Sequence, residues 1–140
     1  MKRVKFLVAA MALPMAMTAM TASAAPVEIG YWSVFTGGGG ATMQSMVDTF
    51  NESQDEVHVN HTPMTADDLY QKIPLAVQTG TEVPDVAVVH IERIPNFVEN
   101  EMLWSYDVEI LAEAGISAGD YIESAYNASN IDDEQDGIPL

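Results

Sequence analysis

The side chains able to bind or react are few and unevenly placed. His58, His61 and His90 are the three histidines, cysteine is absent, and acidic residues number 21 in the 140-residue chain. Neither a Gly-x-Ser-x-Gly nucleophile elbow nor a His-Glu-x-x-His metal motif occurs, so two common routes to an activated nucleophile are missing. The lack of cysteine removes disulfides, thiolate metal ligands and thiol nucleophiles. What remains suits non-covalent capture. Tyr31, Trp32 and Phe35 cluster just before Gly37-Gly38-Gly39-Gly40. Aromatic rings offer stiff apolar faces that match the C–H faces of sugars. Glycines admit a ligand close to the backbone, and a helix beginning after them offers unsatisfied amide donors. His90, with Glu92 and Arg93 close behind, is a second candidate polar contact.

Two other chemistries fit poorly. A phosphate-binding Walker loop needs Gly-Lys-Ser/Thr, but Ala41-Thr42 follows Gly40, and the dinucleotide spacing Gly-x-Gly-x-x-Gly also fails beyond Gly40. Asp132-Asp133-Glu134-Gln135-Asp136-Gly137 resembles the front of an EF-hand loop. Glu134 is atypical at its position, however, and the loop's closing glutamate would lie past Leu140. A solvated acidic loop is the better reading, and no metal ligand and no cofactor is assigned.

These residues need elements to hold them. Val27 to Trp32 is rich in β-branched and aromatic residues and exits into glycine, which predicts a strand. Met43, Met46, Val47 and Phe50 then recur at helical spacing, predicting a helix from Ala41 to Asn51 with one apolar face. Val57 to Thr62 alternates and is ended by Pro63, giving a second strand. His58 and His61 fall on opposite faces of it, in surface roles. Thr65-Ala66-Asp67-Asp68 is a helix start, with Thr65 as cap and two carboxylates at the positive end. Leu69, Ile73, Ala76 and Val77 continue it, Pro74 should kink or split it, and Gly80 closes it. The apolar run Asp85 to His90 predicts a strand buried on both faces, ending where open α/β sheets place their ligand crevice. Ile94, Phe97 and Val98 mark a short helix, and Val108 to Ala114 another that stops at Gly115. Ser117 opens a last helix with Tyr121, Ile122 and Ala125 inward. Strand and helix alternate, so the fold class is α/β with a mostly parallel sheet flanked by helices.

The amino terminus reads as a secretory leader. Lys2, Arg3 and Lys5 precede the apolar stretch Phe6 to Met20, and Ala22-Ser23-Ala24 is a small-x-small cleavage signal. The expected domain map is residues 1–24 signal peptide and 25–140 folded lobe. Removing the leader leaves Lys72 and Arg93 against 21 acidic residues, a net charge of −19. That charge argues against nucleic acid and anionic membranes, which require clustered Lys and Arg. With no cysteine to carry a lipid, the expected location is the periplasm rather than a lipoprotein anchor.

Taken together, these phrases resemble the extracellular solute-binding proteins of ABC importers, of the sugar- and glycerol-phosphate-binding type. The likeness rests on Ile29-Gly30-Tyr31-Trp32-Ser33, the glycine run, and Val47-Asp48-Thr49-Phe50-Asn51. It continues through Val57-His58-Val59, Gly80 to Pro84-Asp85-Val86, and Gly137-Ile138-Pro139-Leu140. It implies a periplasmic-binding-protein-like clamshell whose second lobe is missing from this chain, residues 25–140 being an incomplete first lobe. The ligand-binding positions it implies are Trp32, Ser33, Phe35, Thr36, Gly37 and Gly38 at the first strand's exit, Asp67 on the second helix, and His90 and Glu92 after the third strand. It implies a sugar or polyol ligand, ABC permease subunits in the inner membrane as partners, and no catalysis. A glycerol-3-phosphate-type ligand is the alternative; a secreted hydrolase with its catalytic residues beyond Leu140, or a standalone acidic interaction protein, ranks below it. Two departures stand out: Pro74 inside the second helix, and no tyrosine before Gly-Ile-Pro. An isolated lobe, holding half of the contacts, is expected not to bind ligand usefully.

Overall fold

The computed structural model describes residues 25–140; the expected leader lies outside them. The fold begins with strand β1 (Val27–Ser33), helix α1 (Gly37–Ser53), strand β2 (Val57–Pro63) and helix α2 (Ala66–Thr79). A short strand β3 (Val86–Ala87) leads through a 3-10 turn (Ile91–Arg93) into α3 (Ile94–Glu99). Then come α4 (Val108–Glu113), a 3-10 turn (Ala118–Asp120), α5 (Glu123–Asn127) and the hairpin β4 (Asn130–Ile131) and β5 (Glu134–Gln135).

The main sheet has strand order β2-β1-β3, all parallel. β1 and β2 run in register from Val27 opposite Val57 to Ser33 opposite Pro63. β3 joins on the other side at Tyr31–Val86 and Trp32–Ala87, and Asp85 extends that pairing. Its amide donates to the Gly30 carbonyl at 2.9 Å, and its carboxylate accepts from the Gly30 amide at 2.7 Å. Because β3 crosses to the far side of β1, α1 and α2 cover opposite faces. Tyr31, on one face, donates to the Met43 sulfur of α1 at 3.5 Å, while Trp32, on the other, packs on the α2 side.

The core lies on the α2 face. Met64, Leu69, Ile73 and Phe97 are buried together, with Trp32, Val34, Tyr70, Val77, Ala87 and Val89 packed around them. The helix signals behave as the sequence predicts. Thr65 Oγ1 accepts from the Asp68 amide, and Gly80 closes α2 in the left-handed conformation. Pro74 is a correction: α2 runs unbroken through it. Losing one amide there forfeits only the bond to the Tyr70 carbonyl, while Leu69, Ile73 and Ala76, all buried, keep both halves on one core.

Four further expectations are corrected. The glycine run is not a loop; Gly37–Gly40 form the first turn of α1. On α1 only Val47 of the expected apolar stripe is buried, and Met46 and Phe50 are exposed. The apolar run after Asp85 is not a strand buried on both faces. Only Val86–Ala87 pair, and Val86 is exposed because no further strand lies beyond β3 among the described residues. Ser117 caps a 3-10 turn rather than an α-helix, and Ile122 faces solvent.

The outer margin of β2 is closed by side chains. Asn51 donates to the Val59 carbonyl at 3.0 Å and accepts from the Val59 amide at 2.9 Å. Gln54 does the same at Val57, at 2.6 and 2.8 Å. Two amide side chains at the end of α1 thus stand in for a neighbouring strand. The acidic segment after Ile131 is a tight hairpin whose two turn residues, Asp132 and Asp133, both take positive φ.

Candidate functional site

Parallel strands deliver their carboxyl ends to one edge. That edge gathers the β1 exit (Ser33 to Thr36), the start of α1, the start of α2 and the β3 exit at His90. Two backbone bonds tie the exits together: the Met64 amide to the Ser33 carbonyl at 3.0 Å and the Val88 amide to the Trp32 carbonyl at 2.9 Å. The order β2-β1-β3 makes β1 the switch point, where α/β sheets open a crevice.

At the β1 exit, Trp32 and Phe35 are half-buried and Thr36, Gly37 and Gly38 are exposed. Thr36 is the N-cap of α1 but makes no side-chain cap bond. The first-turn amides are left with the dipole's positive end and no hydroxyl to satisfy them. Gly37 holds φ of +57°, where a Cβ is strained. Trp32 carries Lys72 Nζ 5.8 Å from its ring centroid.

Ser33 departs from expectation. It is fully buried, and its hydroxyl lies 2.8 Å from His61 Nε2. That group belongs to the fold's interior and is withdrawn as a ligand donor. His61 is likewise no surface residue. Its Nδ1 lies 3.0 Å from Gln44 Oε1, its ring stacks on Tyr31 at 5.1 Å, and burial pushes its pKa below the ordinary histidine value. The same face desolvates Tyr31 and raises its pKa.

Asp67 is exposed in the first turn of α2. His90 and Glu92 are exposed at the β3 exit. His90 is anchored by Tyr70, whose hydroxyl lies 2.6 Å from Nδ1 and accepts from the His90 amide at 3.0 Å. Arg93 lays its guanidinium 4.6 Å from the Tyr70 ring centroid, and Phe97 meets the ring edge-on at 6.2 Å. The topology therefore brings Trp32, Phe35, Thr36, Gly37, Gly38, Asp67, His90 and Glu92 to one sheet edge. Sequence reasoning missed Tyr70, Lys72 and Gln44. Tyr70 left a usable signal: it lies at i−3 and i−7 from Ile73 and Val77, and a tyrosine on an apolar stripe needs a partner for its hydroxyl. Among the described residues no group of three or more His, Asp or Glu side chains is arranged to hold a metal, and no helix is long and apolar enough to cross a membrane.

No family model matches the chain, and no curated protein matches it. Solved structures do. The cyclic α-maltosyl-1,6-maltose binding protein of Arthrobacter globiformis matches at 23% identity and a TM-score of 0.67, over 79% of this chain and 27% of that one. The GacH receptor of Streptomyces glaucescens, solved unliganded and with acarbose, matches at 16% identity and 0.70, over 79% and 28%. The galacto-N-biose/lacto-N-biose I-binding protein of a Bifidobacterium longum ABC transporter matches at 24% and 0.63, over 82% and 28%. At these identities the likeness is one of fold. The parallel sheet flanked by helices is a portion of a periplasmic-binding-protein-like structure, and the chain spans little more than a quarter of the length of those proteins.

Proposed function

We propose that this chain is the amino-terminal part of a periplasmic substrate-binding component of an ABC importer that captures a sugar or polyol and performs no catalysis. The observation that carries the reading is the convergence at one sheet edge of the β1, β2 and β3 exits with the starts of α1 and α2, in a fold shared with proteins named for binding maltose-type sugars, acarbose and lacto-N-biose. Trp32 and Phe35 would supply apolar surface to a sugar ring. Thr36 and the amides of Gly37 and Gly38 would donate to hydroxyls, and Asp67 and Glu92 would accept from them. A second lobe would close over the ligand, and the closed form would dock on permease subunits in the inner membrane.

The uncapped start of α1 favours a second reading, a polyol phosphate such as glycerol-3-phosphate seated on those amides. Calorimetric titration of the protein expressed from its whole reading frame decides between them. Maltose, lacto-N-biose and glycerol-3-phosphate are the probes. Binding of a neutral sugar near about 1 μM, or about −8 kcal/mol, is the expected result. Heat from glycerol-3-phosphate alone moves the assignment to the second reading. No heat and no ligand-linked rise in Tm with any sugar or polyol overturns both.

A further inference from the structure

We infer that Tyr70 is a positioning residue that locks His90 in a single tautomer, making its outer nitrogen a hydrogen-bond donor at the β3 exit; the consequence for ligand choice rests on the carbohydrate-binding reading above. Two contacts carry the inference. The His90 amide donates to the Tyr70 hydroxyl at 3.0 Å, and the same oxygen lies 2.6 Å from His90 Nδ1. A phenol has one proton to give. Its oxygen already receives the backbone N–H, and Nδ1 is the acceptor placed to take the phenolic proton. Nδ1 is then bare, so a neutral imidazole carries its proton on Nε2. The opposite tautomer would aim two N–H donors at one phenolic oxygen and leave the phenolic proton without the acceptor it now has.

The phenol is itself held. Arg93 covers its ring at 4.6 Å and Phe97 meets its edge at 6.2 Å, so the oxygen is fixed from the core side. His90 is at the end of the β3 segment, with Glu92 in the turn that follows. This exit therefore offers a donor-only imidazole nitrogen and an acceptor-only carboxylate. A ligand hydroxyl both donates and accepts and can satisfy each of them. An ammonium group, which only donates, finds no acceptor in His90. A hydroxyl, able to serve the donor and the acceptor alike, is the ligand group this pair matches.

The test is nitrogen-15 NMR of the histidine side chains in the protein expressed from its whole reading frame, at about pH 8 where imidazole is neutral. The His90 signals are assigned with His90→Asn. The expected spectrum shows His90 almost wholly with Nε2 protonated and Nδ1 bare. Tyr70→Phe, which keeps the ring under Arg93 and against Phe97, is expected to give a mixture of tautomers and about a tenfold weaker affinity for the sugar that binds the parent. A parent His90 protonated on Nδ1, or a tautomer unchanged by Tyr70→Phe, overturns the inference. Should Tyr70→Phe fail to fold, the parent spectrum alone decides. Should no sugar bind the parent, the carbohydrate reading falls while the tautomer result still stands or fails by itself.

Discussion

The Ser33 hydroxyl and His61 Nε2 lie 2.8 Å apart, and through this contact one imidazole joins the exit of β1 to helix α1. On its other side His61 Nδ1 meets Gln44 Oε1 at 3.0 Å. An amide oxygen only accepts, so Nδ1 holds the proton and Nε2 accepts from Ser33. The arrangement needs His61 neutral. Burial lowers its pKa, so the unfolded chain takes up this proton before the folded one does. Above about pH 7.5, a unit past the ordinary histidine value, both states are neutral and the site contributes no pH dependence. Below it the unfolded state binds more protons, and stability falls until the pH drops past the folded value. A histidine NMR titration should place the His61 midpoint under 6.5, with Tm declining between about pH 7 and pH 5. A midpoint at or above 6.5 would sink this account.

Gly40 is buried against the turn that precedes α1. A Cβ there would sit 2.7 Å from the Phe35 carbonyl oxygen, and backbone cannot yield as a side chain can. Gly40→Ala should therefore destabilise by about 1–3 kcal/mol. Gly38→Ala meets no atom within 4 Å and should be neutral or stabilising by up to about 1 kcal/mol. Urea denaturation of the two variants separates a close approach at one glycine from a general need for glycine in this turn. Equal effects would refute the distinction.

Leu69 is 0% exposed and touches the centre of the only large core cluster among the described residues. Leu69→Ala should cost about 2–5 kcal/mol, the upper part if the cavity stays open. Leu75→Ala, further along the same helix but exposed, should change stability by less than about 0.5 kcal/mol. Comparable losses at both positions would mean that the core has been misplaced.

The hairpin turn sets two carboxylates side by side at positive φ, Asp132 at 52° and Asp133 at 68°. Asparagine followed by glycine suits such a turn better, since neither repels its neighbour and glycine carries no strain at positive φ. Asp132→Asn with Asp133→Gly should stabilise by about 1 kcal/mol. Thermal unfolding would show it, and a lower Tm would argue that the carboxylates have a partner elsewhere in the protein.

Much of the fold was legible because its signals are local. Thr65, Gly80 and Gly115 mark helix ends through their own backbone requirements, and the apolar spacing of Leu69, Ile73 and Ala76 needs no distant information. The start of α1 was missed because four glycines oppose helix by propensity, while packing of Gly40 on Phe35 overrides it. The extent of β3 was misjudged because an apolar run shows a tendency to pair but not whether a neighbour exists. For the candidate site, the sequence located the strand exits that topology gathers. It did not show which polar groups point inward: Ser33 and His61 are 28 residues apart, and no spacing rule links them. Tyr70 and His90 likewise meet only because β3 lies where α2 can reach it.

The side-chain amides of Asn51 and Gln54 give the sheet a polarity of growth. Along β2 the outward amides and carbonyls of Val57 and Val59 are already answered, and Pro63 at its end has none to donate. A stranger's strand gains little by docking there, which discourages edge-to-edge self-association in so acidic a protein. Beyond β3 no such closure exists among the described residues, and Val86 is exposed there. A strand joining this sheet finds more unanswered backbone beside β3 than beside Val57 and Val59. The open flank of the sheet is the one that carries β3 and, at its exit, His90.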